Sequence, residues 1–132
     1  MDINGAVCQS FKHVLELQLG TYINIYASGE FENQIMPKIL ISATSENGGI
    51  AGLNFNYETI VTLRLISNGN DDDSLVLAMD LQAVLQNSEL VTLLNGSEEG
   101  GFYGFKLESS ERATGDNGQE AIFTIRAWTY LV

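Results

Sequence analysis

The chain of 132 residues contains one cysteine, one proline, one histidine and six basic residues. Each scarcity excludes something. Cys8 alone can close no intrachain disulfide, so a reducing cytoplasm is the expected setting. The apolar runs, such as Ile39-Leu40-Ile41, are far shorter than the ~20 residues that span a bilayer. The opening Met1-Asp2-Ile3-Asn4-Gly5 has neither the basic nor the apolar segment of a secretory signal, and none is expected. Against the six basic residues stand seventeen acidic ones, a net charge of −11. Such a chain repels phosphate, which argues against groove binding to nucleic acid and against docking on an anionic membrane.

The composition that remains is that of a folded domain. An apolar fraction of 45% with only 17% charged residues is the reverse of a disordered chain. The length suits one domain, which buries about two thirds of the surface of its extended chain. The expected fold is α+β: a mixed or antiparallel sheet of about five strands with two to three helices packed on it, in the order α-β-β-β-α-(α)-β-β.

Periodicity places the elements. From Asn4 to Leu19, Val7, Phe11, Val14 and Leu15 fall on one helical face, with Asn4 as N-cap and Gly20 as terminator. Thr21 to Ala27 is aromatic and β-branched, a short strand. Ser28 to Ile35 is a polar loop, after which Pro37 blocks helix continuation and Lys38 to Ser45 alternates as a strand. Leu53 to Ser67 is the longest strand; its second half is apolar on both faces, as in a strand covered on two sides.

Asn68 to Asp73 is an acid-rich turn and helix start. The helix from Ser74 to Gln86 places Leu75, Val76, Met79 and Ala83 on its apolar rows, widened by Leu81, Val84 and Leu85. Ser88 to Leu94 is a second short helix. Phe102 to Ser110 and Gln119 to Tyr130 form a terminal hairpin around Asn117-Gly118. In its last strand Ile122, Thr124, Arg126, Trp128 and Tyr130 share a face opposite Phe123, Ile125, Ala127, Thr129 and Leu131.

Candidate chemistry is sparse, and no catalytic, cofactor-binding or metal residue is assigned. Cys8 and His13 lie five apart on one helix and do not face each other, so they make no nucleophile–base pair. Transition-metal sites need more His and Cys ligands than this chain has. Asn68, Asn70 and Asp72 match the first odd positions of a calcium loop. The sixth position, however, is Asp73 rather than glycine and the twelfth is Met79 rather than glutamate, so the acids read as a solvated helix start. Gly96-Ser97-Glu98-Glu99-Gly100-Gly101 offers acids where a phosphate needs donors. The aromatics Phe102, Tyr103, Phe105, Trp128 and Tyr130 read first as sheet packing and second as a stacking platform. An enzyme is not expected.

The order of elements resembles that of the tail terminator (tail-completion) proteins of long-tailed bacteriophages. The resemblance spans nearly the whole chain. It is carried by the first helix and short strand, then Met36-Pro37-Lys38-Ile39-Leu40-Ile41. Next come the long strand Tyr57-Glu58-Thr59-Ile60-Val61-Thr62-Leu63-Arg64-Leu65-Ile66, the helix from Ser74 to Gln86, and the alternating strand Ala121 to Val132. No short motif backs it, and no individual functional residue is carried over.

The resemblance implies a homo-oligomeric ring, hexameric in that family, that caps the tail tube, ends its polymerisation and meets the head-completion or neck protein. It would be assembled in the host cytoplasm and reside in the virion. A domain of this length is about 36 Å across, so six in a closed ring leave a hole about as wide. An acidic lumen would let DNA pass without specific binding. The first half of the long strand and the Glu46 to Leu53 loop are the expected contacts. The alternatives are another head-to-tail connector or tube-like virion subunit, or a monomeric module binding a small ligand or peptide on the aromatic hairpin.

Overall fold

The computed structural model describes residues 3–27, 36–47, 56–67, 71–87, 90, 94, 101–115 and 118–130. The elements run α1 (Ile3–Leu19), β1 (Asn24–Ala27), β2 (Lys38–Asn47), β3 (Asn56–Ser67), α2 (Asp71–Leu85), β4 (Gly101–Gly115) and β5 (Gly118–Tyr130). The fold is α+β. Five strands form one mixed sheet in the order β1-β2-β3-β5-β4, with β1 parallel to β2 and every other pair antiparallel.

α1 forms where its apolar residues recur at helical spacing. Val7, Phe11, Val14, Leu15 and Leu19 are all buried, against β1 and β2. Removing one such side chain from water contributes about 2–3 kcal/mol. The helix ends where Gly20 N donates to Glu16 O at 2.9 Å, followed by Ile23 N to Leu19 O at 3.0 Å. A Cβ on Gly20 would lie 2.3 Å from that same Glu16 oxygen, so close backbone approach is what requires glycine there.

Alternation divides the sheet. Ile25 and Ala27 on β1, Ile39 and Ile41 on β2, and Val61, Leu63 and Leu65 on β3 point to one face. They are joined there by Ala121, Phe123, Ile125 and Ala127 on β5, and all are buried. This inner face meets α1, α2 and the helical, fully buried residues Leu90 and Leu94 in one cluster. Leu90 and Leu94 agree with the short helix expected over Ser88 to Leu94; the intervening positions lie outside the described residues.

Several expectations need correction. The first strand begins at Asn24 rather than Thr21, because Thr21 and Tyr22 belong to the turn leaving α1. Strand β2 continues two residues past Ser45, and the terminal hairpin is longer than its composition suggested: β4 continues through Ser110-Glu111-Arg112 to Gly115, which pairs with Gly118. Those polar residues are compatible with an edge strand whose side chains reach water. β4 also carries register shifts between Phe102 and Gly104 and between Leu107 and Ser109, a device that bends an edge and discourages further pairing. Strand β3 is central, and its second half is covered on both sides only at Leu65 and Ile66, which are buried on opposite faces; before them Ile60 and Thr62 are half-buried and Arg64 is exposed.

The largest correction concerns α2, which begins at Asp71 and ends at Leu85. Its core-facing residues are Ala78, Leu81 and Leu85, with Leu77 and Val84 partly buried against the core. Of the expected stripe, Leu81, Leu85 and Val84 do face the core, but Leu75, Val76 and Met79 point outward, 42%, 56% and 61% exposed, with Ala83 exposed beside them.

Candidate interaction surface

The described helices occupy one face of the sheet, and among the described residues no element covers the other. Register sets out its rows across the strands. Ser42, Thr62, Thr124 and Ser109 are successive partners through β2, β3, β5 and β4, a line of four hydroxyl side chains. The next row is Thr44, Ile60, Arg126 and Lys106, and the row on the other side is Tyr26, Leu40, Arg64, Ile122 and Glu111. None of these side chains is fully buried.

Charges on this face are paired across strands. Arg126 on β5 donates through Nη1 to Glu58 on β3 and through Nε to Glu108 on β4, the latter at 2.6 Å, so one guanidinium joins three adjacent strands. Arg64 Nε donates to Glu120 Oε1 at 2.5 Å, joining β3 to β5. In both cases the arginine lies diagonal to its carboxylate rather than opposite it, a spacing that long side chains can bridge. The hydrogen bonds from Glu58 and then Glu108 hold the Arg126 proton more firmly than usual, and Arg126 in turn pulls the Glu108 carboxyl below its ordinary value. The bond to Glu120 raises Arg64 in the same way.

A depression of about 300 Å³ opens beside these pairs, lined by Thr44, Glu58, Ile60 and Arg126. Trp128 is half-buried and lies across Gly104 on β4, where an added Cβ would sit 3.5 Å from Trp128 Cε3. The indole thereby covers a glycine that leaves its neighbours without a packing partner. Phe105 packs against the core from the opposite face. The side chains of Phe102, Tyr103 and Tyr130 lie outside the described residues.

The other residues singled out in the sequence are not brought together. Cys8 is a buried thiol outside any disulfide and His13 is exposed on another side of α1. Asp71, Asp72 and Asp73 belong to the first turn of α2, and their side chains lie outside the described residues. Among the described residues no group of three His, Cys, Asp or Glu is placed to hold a metal ion, and no helix is long and apolar enough to cross a membrane. Of the expected contact segment, Glu46 belongs to β2 opposite Glu58, and positions 48–53 lie outside the described residues.

Sequence reasoning missed two features. One is the carboxylate partners of Arg126, which only the register reveals. The other is a contact at the far end of α1: Tyr22, 46% exposed, donates its hydroxyl to Asp80 Oδ2 of α2 at 3.1 Å. Partial burial and then that acceptor raise the Tyr22 pKa.

No family model matches this chain, and no curated protein matches it.

Proposed function

We propose that this protein is a structural assembly subunit of the tail-terminator kind. It closes as a ring, hexameric by analogy, on the end of a tail tube, stops the tube's growth and presents a surface to a head-completion or neck protein. The observation that carries the reading is the one-sided sheet. Among the described residues, a core beneath one face, a charge-paired opposite face without a covering element and no cluster of metal-ligating side chains suit a domain that is part of something larger. The order of elements adds the specific analogy, and the acidity fits a lumen through which DNA slides without being gripped.

The test is solution mass across a concentration range, with and without magnesium, together with negative-stain images of the protein alone and added to growing tubes of its cognate tube protein. A closed ring of about one tube diameter, and tubes that stop lengthening when it is added, are the expected results. Tubes that grow unchanged and carry nothing at their ends would overturn the proposal.

A second reading, a monomeric binding module, is favoured by the depression beside Arg126. It predicts quenching of Trp128 fluorescence by a small ligand or peptide at a concentration where the mass stays that of one chain.

A further inference from the structure

The two strands of the terminal hairpin are anchored very differently. β5 brings Ala121, Phe123, Ile125 and Ala127 into the core, all buried. β4 lies at the edge of the sheet and pairs with β5 alone. Two register shifts divide it. The second leaves Glu108 without an opposite residue, because Leu107 faces Ile125 and Ser109 already faces Thr124. Before that point Phe105 and Leu107 pack against the core. After it Ser109, Ser110, Glu111 and Arg112 are all exposed, so the strand is wet on both faces.

Little besides its backbone ladder holds this far part of β4. Ser110 is the register partner of Phe123 and Arg112 that of Ala121. Phe123 and Ala121 are buried while both of these β4 residues are exposed, so the core closes over β5 without them. A cleft of about 170 Å³ lies beside Arg112, bounded by Leu65 and Ser67 of β3 and Ala121 of β5. Among the described residues no side-chain hydrogen bond or ion pair ties Ser109, Ser110, Glu111 or Arg112 to a neighbour. The tie sits at the bulge itself. There Glu108 Oε1 accepts from Arg126 Nε at 2.6 Å, and Arg126 is pinned in turn by Glu58 on β3. A bulge re-aims the side chain it carries. Local opening is easiest where few apolar contacts back a solvent-exposed ladder.

We infer that β4 from Ser109 to Gly115 is a strap that lifts from β5 while the core stays folded, and that the Glu108–Arg126 pair at the bulge is the clasp that stops the opening there. Lifting bares the edge of β5 from Gly118 to Thr124. On its other side β5 pairs with β3 without any register shift, so the bared edge is regular. A regular, unpaired edge is a template for strand pairing, and the strap is its autoinhibitory cover. The inference concerns the hairpin alone and does not depend on the ring reading.

Trypsin reads such opening directly, because every Lys and Arg of the chain lies inside a described helix or strand: Lys12 in α1, Lys38 in β2, Arg64 in β3, Lys106 and Arg112 in β4, and Arg126 in β5. Digestion of the whole chain under native conditions, followed by mass spectrometry of the products, gives the initial rate at each site. The first cut is expected after Arg112, at least about a hundredfold faster than cuts after Arg64 or Arg126, with Lys106 slower than Arg112. Removing the clasp with Glu108→Ala is expected to raise cutting after Lys106 about threefold relative to cutting after Arg112, with Arg64 and Arg126 as slow as before. Cleavage of all sites in step would overturn the strap. A ratio of Lys106 to Arg112 cutting that is the same in Glu108→Ala as in wild type would overturn the clasp.

Discussion

The two faces of the sheet are built from the same five strands and behave oppositely. On the inner face Val61, Leu63 and Ile125 are completely buried within the apolar cluster. One residue along each strand, the outer face offers Ile60, Thr62 and Arg126, all partly wet, with Arg126 hydrogen-bonded to carboxylates on both neighbouring strands. The inner face determines whether the chain folds. The outer face is free to be specified by something else, since its substitution removes little from the core.

The comparison can be broken most severely from the inside. Phe123→Ala, 2% exposed, is expected to lower unfolding stability by about 3–5 kcal/mol, read from denaturant midpoints. Its outer neighbour Ile122→Ala should cost about 1 kcal/mol or less, as a half-wet side chain has less burial to lose. Equal effects would mean that the outer face is covered in the isolated chain.

Next in size is Gly20→Ala. Its Cβ would press on the Glu16 carbonyl oxygen, and forcing that overlap should destabilise by about 1–3 kcal/mol in thermal melts. A neutral result would mean that the end of α1 relaxes freely.

Smaller again is Arg126→Ala, which unties β3, β4 and β5 on the outer face. The expected loss is below that of Phe123→Ala and shrinks in 1 M salt, whereas the inner-face loss does not. A salt-independent loss would make Arg126 a packing residue.

The smallest effect is present at neutral pH and lost in acid. Glu108 sits below its ordinary value of 4.5 because Arg126 favours its ionised form. A lowered carboxyl contributes stability that is present above 4.5 and disappears as pH falls through its folded-state value. Glu108→Gln should therefore differ from wild type at pH 7 and converge on it in acid; parallel curves at every pH would dissociate Glu108 from Arg126.

Much of this division was legible beforehand. The alternation of Phe123, Ile125 and Ala127 with Ile122, Thr124 and Arg126 separates the faces of β5 without any structure, and Val7, Phe11, Val14 and Leu15 define the buried side of α1. α2 resisted the same treatment for a physical reason. Leu75, Val76, Leu77, Ala78, Met79, Leu81, Ala83, Val84 and Leu85 surround the helix with apolar residues, so periodicity does not select a side; only the position of β5 and of Leu90 and Leu94 makes Ala78, Leu81 and Leu85 the inner one. The polar residues from Glu111 onward concealed the last third of β4, Glu111 to Gly115, because an edge strand can wet both faces. The pairing of Arg126 with Glu58 depends on a register between residues 68 positions apart, which no local pattern carries.

The position of β3 also bears on timing. Its neighbours are β2, which precedes it directly, and β5, the last strand described, with Asn56 opposite Tyr130. On a growing chain α1, β1, β2 and β3 emerge with one whole edge of β3 still unsatisfied, and the inner face lacks Phe123 and Ile125 until β5 arrives. Long-range pairing of this sort is slow compared with local helix formation. The open face exists as a surface only after β5 is laid down, so on the proposed reading assembly would wait for chains that have been made through Tyr130.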